Sequence, residues 1–379
     1  MNFKLTEEQE TVRQAARDFA VQHLLPGVIE RDINQHFPDE LRIRMGELGF
    51  MGMMTDTRYQ GGGMDTVSYA LAIEEISKVD ASAGVIMSVN NSLVCWGLDH
   101  YGNEEQKQKY LTRVASGAVS GAFCLSEPEA GSDATSQHTV AEDRGDHYLL
   151  NGTKNWITNG GHAGVYLVMA QTDASKKHKG INCLIVEPGQ PGFIIGKKED
   201  KMGIRGSDTH SLMFQDVRVP KENRVGPEGA GFNFAMSTLN GGRIGIAAQA
   251  LGIAAGALEL SMAYARERKA FGKPIAEHQA IQFKLADMAM KVDAARHLVW
   301  HAAWIKDQGG NYVKEAAMAK LFASRIAQEV TSEAVQIHGG YGYVREFHVE
   351  RMMRDAKITE IYEGTSEIQH LVIARELMR

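Results

Sequence analysis

Only three cysteines occur in the 379 residues, Cys95, Cys124 and Cys183, far apart and odd in number. That excludes a disulfide framework or a thiolate metal cluster and predicts reduced thiols in a cytosol-like compartment. An excess of positive charge is missing too. With 41 Lys and Arg against 47 Asp and Glu, the net charge is −6, so neither nucleic acid nor an anionic membrane surface is expected as a partner. The N-terminus carries neither the basic start nor the apolar run of a signal peptide, and no apolar stretch reads as long enough to span a bilayer. A cytoplasmic protein is expected. There is no fixed-period repeat and no low-complexity tract.

Several catalytic and nucleotide-binding signatures are absent as well. No G-x-G-x-x-G follows a strand: Gly226 to Gly231 has the wrong spacing, and Gly339-Gly340-Tyr341-Gly342 follows a helical pattern. A doubly wound nucleotide fold is therefore not expected. No P-loop, nucleophile elbow or HExxH occurs. His297 and His301 lie four apart on a predicted helix, but no third ligand stands nearby, so no metal is expected.

What is present is a soluble globular composition, 44% hydrophobic and 23% charged, in a chain long enough for two or three domains. Residues 1–120 read as helical. Thr6 and Gln9 form a capping box, Pro38 opens a helix that stops at Gly49, and helices follow over 67–79, 82–101 and 104–116. From 121 to 228, short apolar runs alternate with turn residues. Strands are predicted at 119–125, 148–153, 165–172, 181–186, 194–198 and 211–219, which predicts an antiparallel β-domain. From 229 to 379 the helical period returns over 230–268, 276–307, 312–338 and 366–378. Faces rich in Ala, Gly and Met suit close packing in a bundle and against partner subunits.

Four clusters ask for a ligand, although each alone also fits an ordinary loop, core or helix end. Phe123 to Asp133 is a strand entering a turn rich in backbone and hydroxyl donors. Lys154 to Gly161 carries Trp156, which suits a flat heterocycle or a core. Arg266 to Gly272 is a cationic helix end that suits a diphosphate or plain solvent. The fourth is Tyr362-Glu363-Gly364-Thr365-Ser366-Glu367. Gly364 breaks the pattern, Ser366 and Gln369 fit a capping box, and Glu363 falls on a turn just before a helix N-terminus.

Taken together these clusters resemble the acyl-CoA dehydrogenase family along the whole chain. The signature stretches are Ser126-Glu127-Pro128 with Gly131-Ser132-Asp133, Trp156-Ile157-Thr158, Arg266 to Gly272, Gln336 to Gly342, and Arg354-Asp355-Ala356 through Thr365. Within the family, Ser88 to Leu93, Gly196 to Lys201 and Ile281 to Met288 resemble the short-chain, butyryl-CoA type. The resemblance implies a mostly α fold with an inserted β domain: an N-terminal helical domain, a central barrel-like β domain and a C-terminal four-helix bundle. It also implies a homotetramer with one FAD per subunit.

In the family's terms, Phe123, Leu125, Ser126, Ser132, Trp156, Ile157 and Thr158 would line the flavin. Arg268, Phe271 and Gln279 with Gln336, Ile337, Gly339 and Gly340 would reach FAD across a dimer interface, and Thr365 and Glu367 would touch the cofactor beside the catalytic turn. Glu363 matches the base that removes the α-proton while the β-hydride passes to flavin N5. Its backbone N–H would help hold the thioester carbonyl. Ser132, Asn240, Arg243 and Gly364 match substrate contacts, with Met87, Leu93 and Ile361 as candidate acyl-pocket residues. Electrons would pass to an electron-transfer flavoprotein. Two departures stand out: Asn240 replaces a common Asp, in a Leu-Asn-Gly-Gly-Arg stretch that branched-chain relatives also carry, and Glu129 replaces a usual Gly. Branched short-chain dehydrogenation is the alternative expectation, followed by an acyl-CoA oxidase or a non-catalytic acyl-CoA-binding protein.

Overall fold

A computed structural model describes residues 4–379. The first helix, α1 (Glu7–Phe19), opens on the expected capping box between Thr6 and Gln9 and buries Val12, Ala16 and Phe19. A short helix not read from the sequence, α2 (Val28–Asn34), precedes α3 (Asp39–Glu47), whose N-cap is Pro38. Next come α4 (Thr66–Ser77) and α5 (Ala81–Tyr101), and a final helical run over 104–115. Within α5 the segment Val89–Cys95 widens to a π-helix, a local distortion common near functional sites.

The β region holds β1 (Gly121–Cys124), β2 (Val140–Asp143), β3 (His147–Thr158), β4 (Val165–Gln171), β5 (Ile181–Val186), β6 (Phe193–Lys198), β7 (Thr209–Pro220) and β8 (Arg224–Val225). They form one eight-stranded sheet ordered β6-β7-β3-β2-β4-β5-β8, with β1 added beside β4. The sheet is mixed, which corrects the antiparallel expectation: β1 and β2 each pair with β4 in parallel. About forty residues separate β1 from β4, enough for the crossover that parallel pairing needs. β3 runs five residues past its predicted end, carried by register shifts between Leu150 and Gly152 and between Lys154 and Ile157. Bulges of this kind hide a strand from the alternation test.

The C-terminal region is α6 (Gly231–Glu267), α7 (Gln279–Asp307), α8 (Val313–His338), α9 (Val349–Ile358) and α10 (Ser366–Leu377). Contrary to the sequence reading, α5 and α6 are long and apolar enough to cross a bilayer. Their apolar windows are 94% and 89% buried, so they serve as core helices. Small residues let α6 approach its neighbours: a Cβ on Gly252 would lie 2.4 Å from Glu74 O on α4, closer than any side chain fits.

The segment before the Glu363 turn, rich in Arg, Asp and Lys, is a helix, α9, that ties the three regions together. Arg354 pairs with Asp32 on α2 at 2.8 Å. Arg351 donates to Val79 O at 2.8 Å, and Asp355 accepts from the N–H of Ile204. The turn at 360–365 leaves directly from this helix, so its position is fixed from several sides.

Candidate active site

The turn is held in a conformation that is unusual for its residues. Glu363 has φ +52° and Gly364 φ +96°, the left-handed region that disfavours a residue with a Cβ. Specific hydrogen bonds hold it there. Thr365, not Ser366, is the N-cap of α10, its hydroxyl accepting from the N–H of Ile368 at 3.4 Å. This corrects the predicted capping box by one residue. Gln369 is instead drawn back to Gly364, donating to its carbonyl at 2.7 Å. The Tyr362 hydroxyl bonds Gln249 on α6.

Beneath the turn lies Lys320 of α8, whose side chain is inaccessible to solvent. Its Nζ donates to the carbonyls of Tyr362, at 2.9 Å, and Gly364, and burial lowers its pKa to about 7. No sequence motif pointed to it. The one available signal was a lone charge inside the apolar run Ala316 to Leu321.

The Glu363 side chain lies over Gly242 of α6. A Cβ at Gly242 would stand 2.1 Å from Glu363 Oε2 and 3.0 Å from Leu93 Cδ2. Gly242 is therefore the floor of the carboxylate's pocket, and Leu93, on the π-helical segment, is its apolar wall. Both carboxylate oxygens are shut off from solvent and neither has a hydrogen-bond partner among the described residues. Burial pushes the carboxyl up to about 7, against the opposing pull of Lys320 and Arg243. An unpaired carboxylate half-ionised near neutral pH is what proton abstraction requires. Of the other candidate acyl-pocket residues, Met87 is fully buried in the core and Ile361 is about half exposed.

Beyond Gly242 the environment becomes cationic. The buried Arg243 donates through Nη1 to Asn240 Oδ1, while its Nε has no partner among the described residues. Burial lowers its pKa to about 10. A Cβ on Gly241 would face Lys306 Nζ at 3.7 Å and the Tyr312 hydroxyl at 3.9 Å. Lys306 and Tyr312 were not singled out in the sequence, where they look like ordinary helix-end residues.

The other candidates form two clusters. In the first, Ser126 O accepts from Asn155 N–H at 2.8 Å, joining Leu125 and Ser126 to the strand that carries Trp156, Ile157 and Thr158. The Glu127 carboxylate fixes this junction. It takes bonds from His138 N–H at 2.6 Å, Thr139 N–H at 3.1 Å and Lys154 Nζ at 2.7 Å. Trp156, at φ +60°, is 62% exposed, an unusual position for an indole unless something covers it. Ile157 instead points into the sheet core, leaving only its backbone for a ligand. Phe123 is half-buried beside Phe234, and Ser132 is exposed on its turn.

The second cluster is a cleft of about 530 Å³ lined by Arg268, Ile337, Gly339, Gly340 and Tyr341 among others. Arg268 lies over the Tyr341 ring at 5.4 Å. Phe271 projects from the adjoining hairpin and is 97% exposed. Gln279, Gln336 and Glu367 are exposed and Thr365 half-buried. No hydrogen bond or ion pair links this cleft to the Phe123–Thr158 cluster among the described residues.

Three family models match the chain in succession. They are the acyl-CoA dehydrogenase N-terminal domain over residues 6–118, middle domain over 122–217 and C-terminal domain over 229–378. A short-chain specific acyl-CoA dehydrogenase of Clostridium acetobutylicum is 51% identical over 379 residues, 100% of both chains. Butyryl-CoA dehydrogenase from Megasphaera elsdenii superposes with a TM-score of 0.98 at 50% identity, over 100% of each chain. A chain from structural work on the electron transferring flavoprotein of Acidaminococcus fermentans and flavin-based electron bifurcation superposes with a TM-score of 0.99 at 52% identity, again over 100% of each. With matches of this extent along its whole length, the protein belongs to the acyl-CoA dehydrogenase family.

Proposed function

We propose that the protein dehydrogenates short-chain acyl-CoA thioesters of the butyryl-CoA kind to trans-2-enoyl-CoA, with Glu363 as the base. The observation that carries this reading is the solvent-free Glu363 carboxylate on its turn, both it and the Glu363 N–H being without a hydrogen-bond partner among the described residues. An α-proton is far less acidic than a carboxyl group, so the developing enolate charge must be stabilised as the proton moves. The Glu363 N–H is placed to donate to the thioester carbonyl while the carboxylate takes the proton. Leu93 and Gly242 keep water from the reacting carbons. Arg243, Lys306 and Tyr312 offer cationic and hydroxyl groups to the CoA portion, with Asn240 orienting Arg243.

The chain's residues fit FAD. Exposed Trp156 on its bulge, together with the donors of Leu125, Ser126, Ser132 and Thr158, suits the flavin ring. The cleft of Arg268, Ile337, Gly339 and Gly340, with Gln336, Gln279 and Phe271 at its edge, suits a diphosphate and adenine from a neighbouring copy. Thr365 and Glu367 border the catalytic turn. FAD, when bound, accepts the β-hydride, and an electron-transfer flavoprotein reoxidises it. The exposed apolar groups Phe271, Phe283, Tyr343 and Leu371 are covered in a homotetramer. Domain boundaries fall at 120/121 and 228/229.

The test is anaerobic flavin bleaching with straight and branched acyl-CoAs of graded length. Fastest bleaching by butyryl-CoA is expected. A long-chain optimum refutes the short-chain reading, a branched C4 or C5 optimum replaces it with the branched one, and rapid oxygen consumption during turnover indicates an oxidase.

A further inference from the structure

Lys320 is fully buried, yet among the described residues its only hydrogen-bond partners are two backbone carbonyls, those of Tyr362 and Gly364. These carbonyls flank Glu363. Gly364 O has a second donor in Gln369 Nε2, whereas Tyr362 O accepts from Lys320 alone among the described residues. That carbonyl and the Glu363 N–H are opposite ends of one planar peptide unit, so fixing the oxygen fixes the direction of the N–H. The N–H donates to no other residue among the described residues. A hydrogen bond from an ammonium to the carbonyl end also polarises the amide and strengthens its N–H as a donor.

We infer that Lys320 is a positioning residue for the reaction: through Tyr362 O it aims and polarises the Glu363 N–H toward the thioester oxygen, and it holds the Glu363–Gly364 turn in its left-handed conformation. This inference rests on the dehydrogenase reading of the same site. A second consequence is electrostatic. Burial alone pushes Glu363 upward, and Lys320 on α8 and then Arg243 on α6 oppose it; burial in turn lowers Lys320 to about 7, against the pull of Glu363. Replacing Lys320 by a neutral side chain therefore weakens the oxyanion donor and makes the base harder to ionise. A purely structural lysine would do neither.

The experiment compares FAD-loaded wild type with Lys320→Met. Three quantities are measured: butyryl-CoA turnover against pH, ionisation of bound acetoacetyl-CoA from its enolate absorbance, and thermal melting. The expected result is a KM within about threefold of wild type, a kcat lower by roughly 30- to 300-fold, and a smaller enolate fraction. The acidic limb of kcat/KM moves upward by about half a unit or more. A kcat within threefold with the limb and the enolate fraction unmoved overturns the inference. So does a loss of turnover that merely tracks lost FAD or lowered melting with both unmoved. If Lys320→Met does not yield folded enzyme, Lys320→Gln, which keeps a donor but no charge, is judged on the limb shift by the same criteria. A wild-type enzyme that bleaches with no acyl-CoA refutes the dehydrogenase reading itself, a result distinct from any of these.

Discussion

Lys154 and Lys320 are both fully buried, and each acts on a glutamate whose carboxylate is shut off from solvent, but the two neighbourhoods are built differently. Lys154 bonds Glu127 directly at 2.7 Å, and the carboxylate takes two further bonds from backbone N–H groups. Burial would raise Glu127, but Lys154 and those bonds overrule it and hold the carboxyl below its ordinary range. Lys320 spends its hydrogen bonds on the carbonyls beside Glu363 and leaves the carboxylate bare, so burial wins there. A satisfied buried pair fixes a loop. A buried carboxylate left without hydrogen bonds is reactive.

The difference is sharpest in rate. Glu363→Gln keeps the shape of the turn and removes the base. We expect FAD to stay bound and kcat to fall by at least about 10³-fold, read by stopped-flow flavin reduction. In contrast, Glu127→Gln should leave the chemical step within roughly tenfold once FAD is bound. Substantial residual turnover in Glu363→Gln would break the contrast and the assignment with it.

The Lys154–Glu127 pair should dominate stability instead. Lys154→Met leaves the Glu127 charge buried without its cation, a change that destabilises by about 3–5 kcal/mol. Thermal or urea unfolding measures it. The double variant Lys154→Met, Glu127→Leu should recover part of the loss. A single variant as stable as wild type would show that the backbone N–H bonds suffice for Glu127.

The two glutamates also predict opposite pH dependences. Glu127 is held low when folded, so its contribution is present above its ordinary pKa near 4.5 and lost as pH falls through its folded value. Glu363 is raised when folded, so it lowers stability as pH climbs from its ordinary 4.5 toward about 7 and beyond. Glu363→Gln should therefore be more stable than wild type at pH 8, by up to about 3 kcal/mol, with the gain vanishing near pH 4.5. In the wild-type enzyme kcat/KM should rise with pH through about 7, since the base must be ionised. A pH-independent melting difference would sever the link between reactivity and burial.

How much of this was readable from sequence follows the same division. Strand Ile181–Val186 and the Thr6 cap were legible because an apolar run and a short polar spacing encode them locally. Strand β2 was not, since only Ala141 of its four residues is buried. Helix α9 read as a charged stretch because Arg351 and Asp355 are buried by partners distant in sequence. Glu363 could be placed before a helix from Gly364 and the Ser366–Gln369 spacing, although the cap itself is Thr365. Lys320 could not be found: a lysine in an alanine-rich helix looks solvated until the turn forty residues later folds onto it.

The smallest expected effect concerns Asn240. Its Oδ1 accepts from Arg243 Nη1, the role that the aspartate common in short-chain relatives would fill with charge added. Asn240→Asp should strengthen that bond, since charge-assisted hydrogen bonds exceed neutral ones. The site is half-buried, and Arg243 already feels Glu363, so the gain is shared and partly screened. We expect KM for butyryl-CoA to change by less than about threefold, under 1 kcal/mol. The extra negative charge near Arg243 should also draw that cation's influence away from Glu363, moving the acidic limb of kcat/KM slightly upward. A tenfold change in KM with the limb unmoved would mean that Asn240 meets the CoA directly, and that Arg243 serves the substrate more than the base.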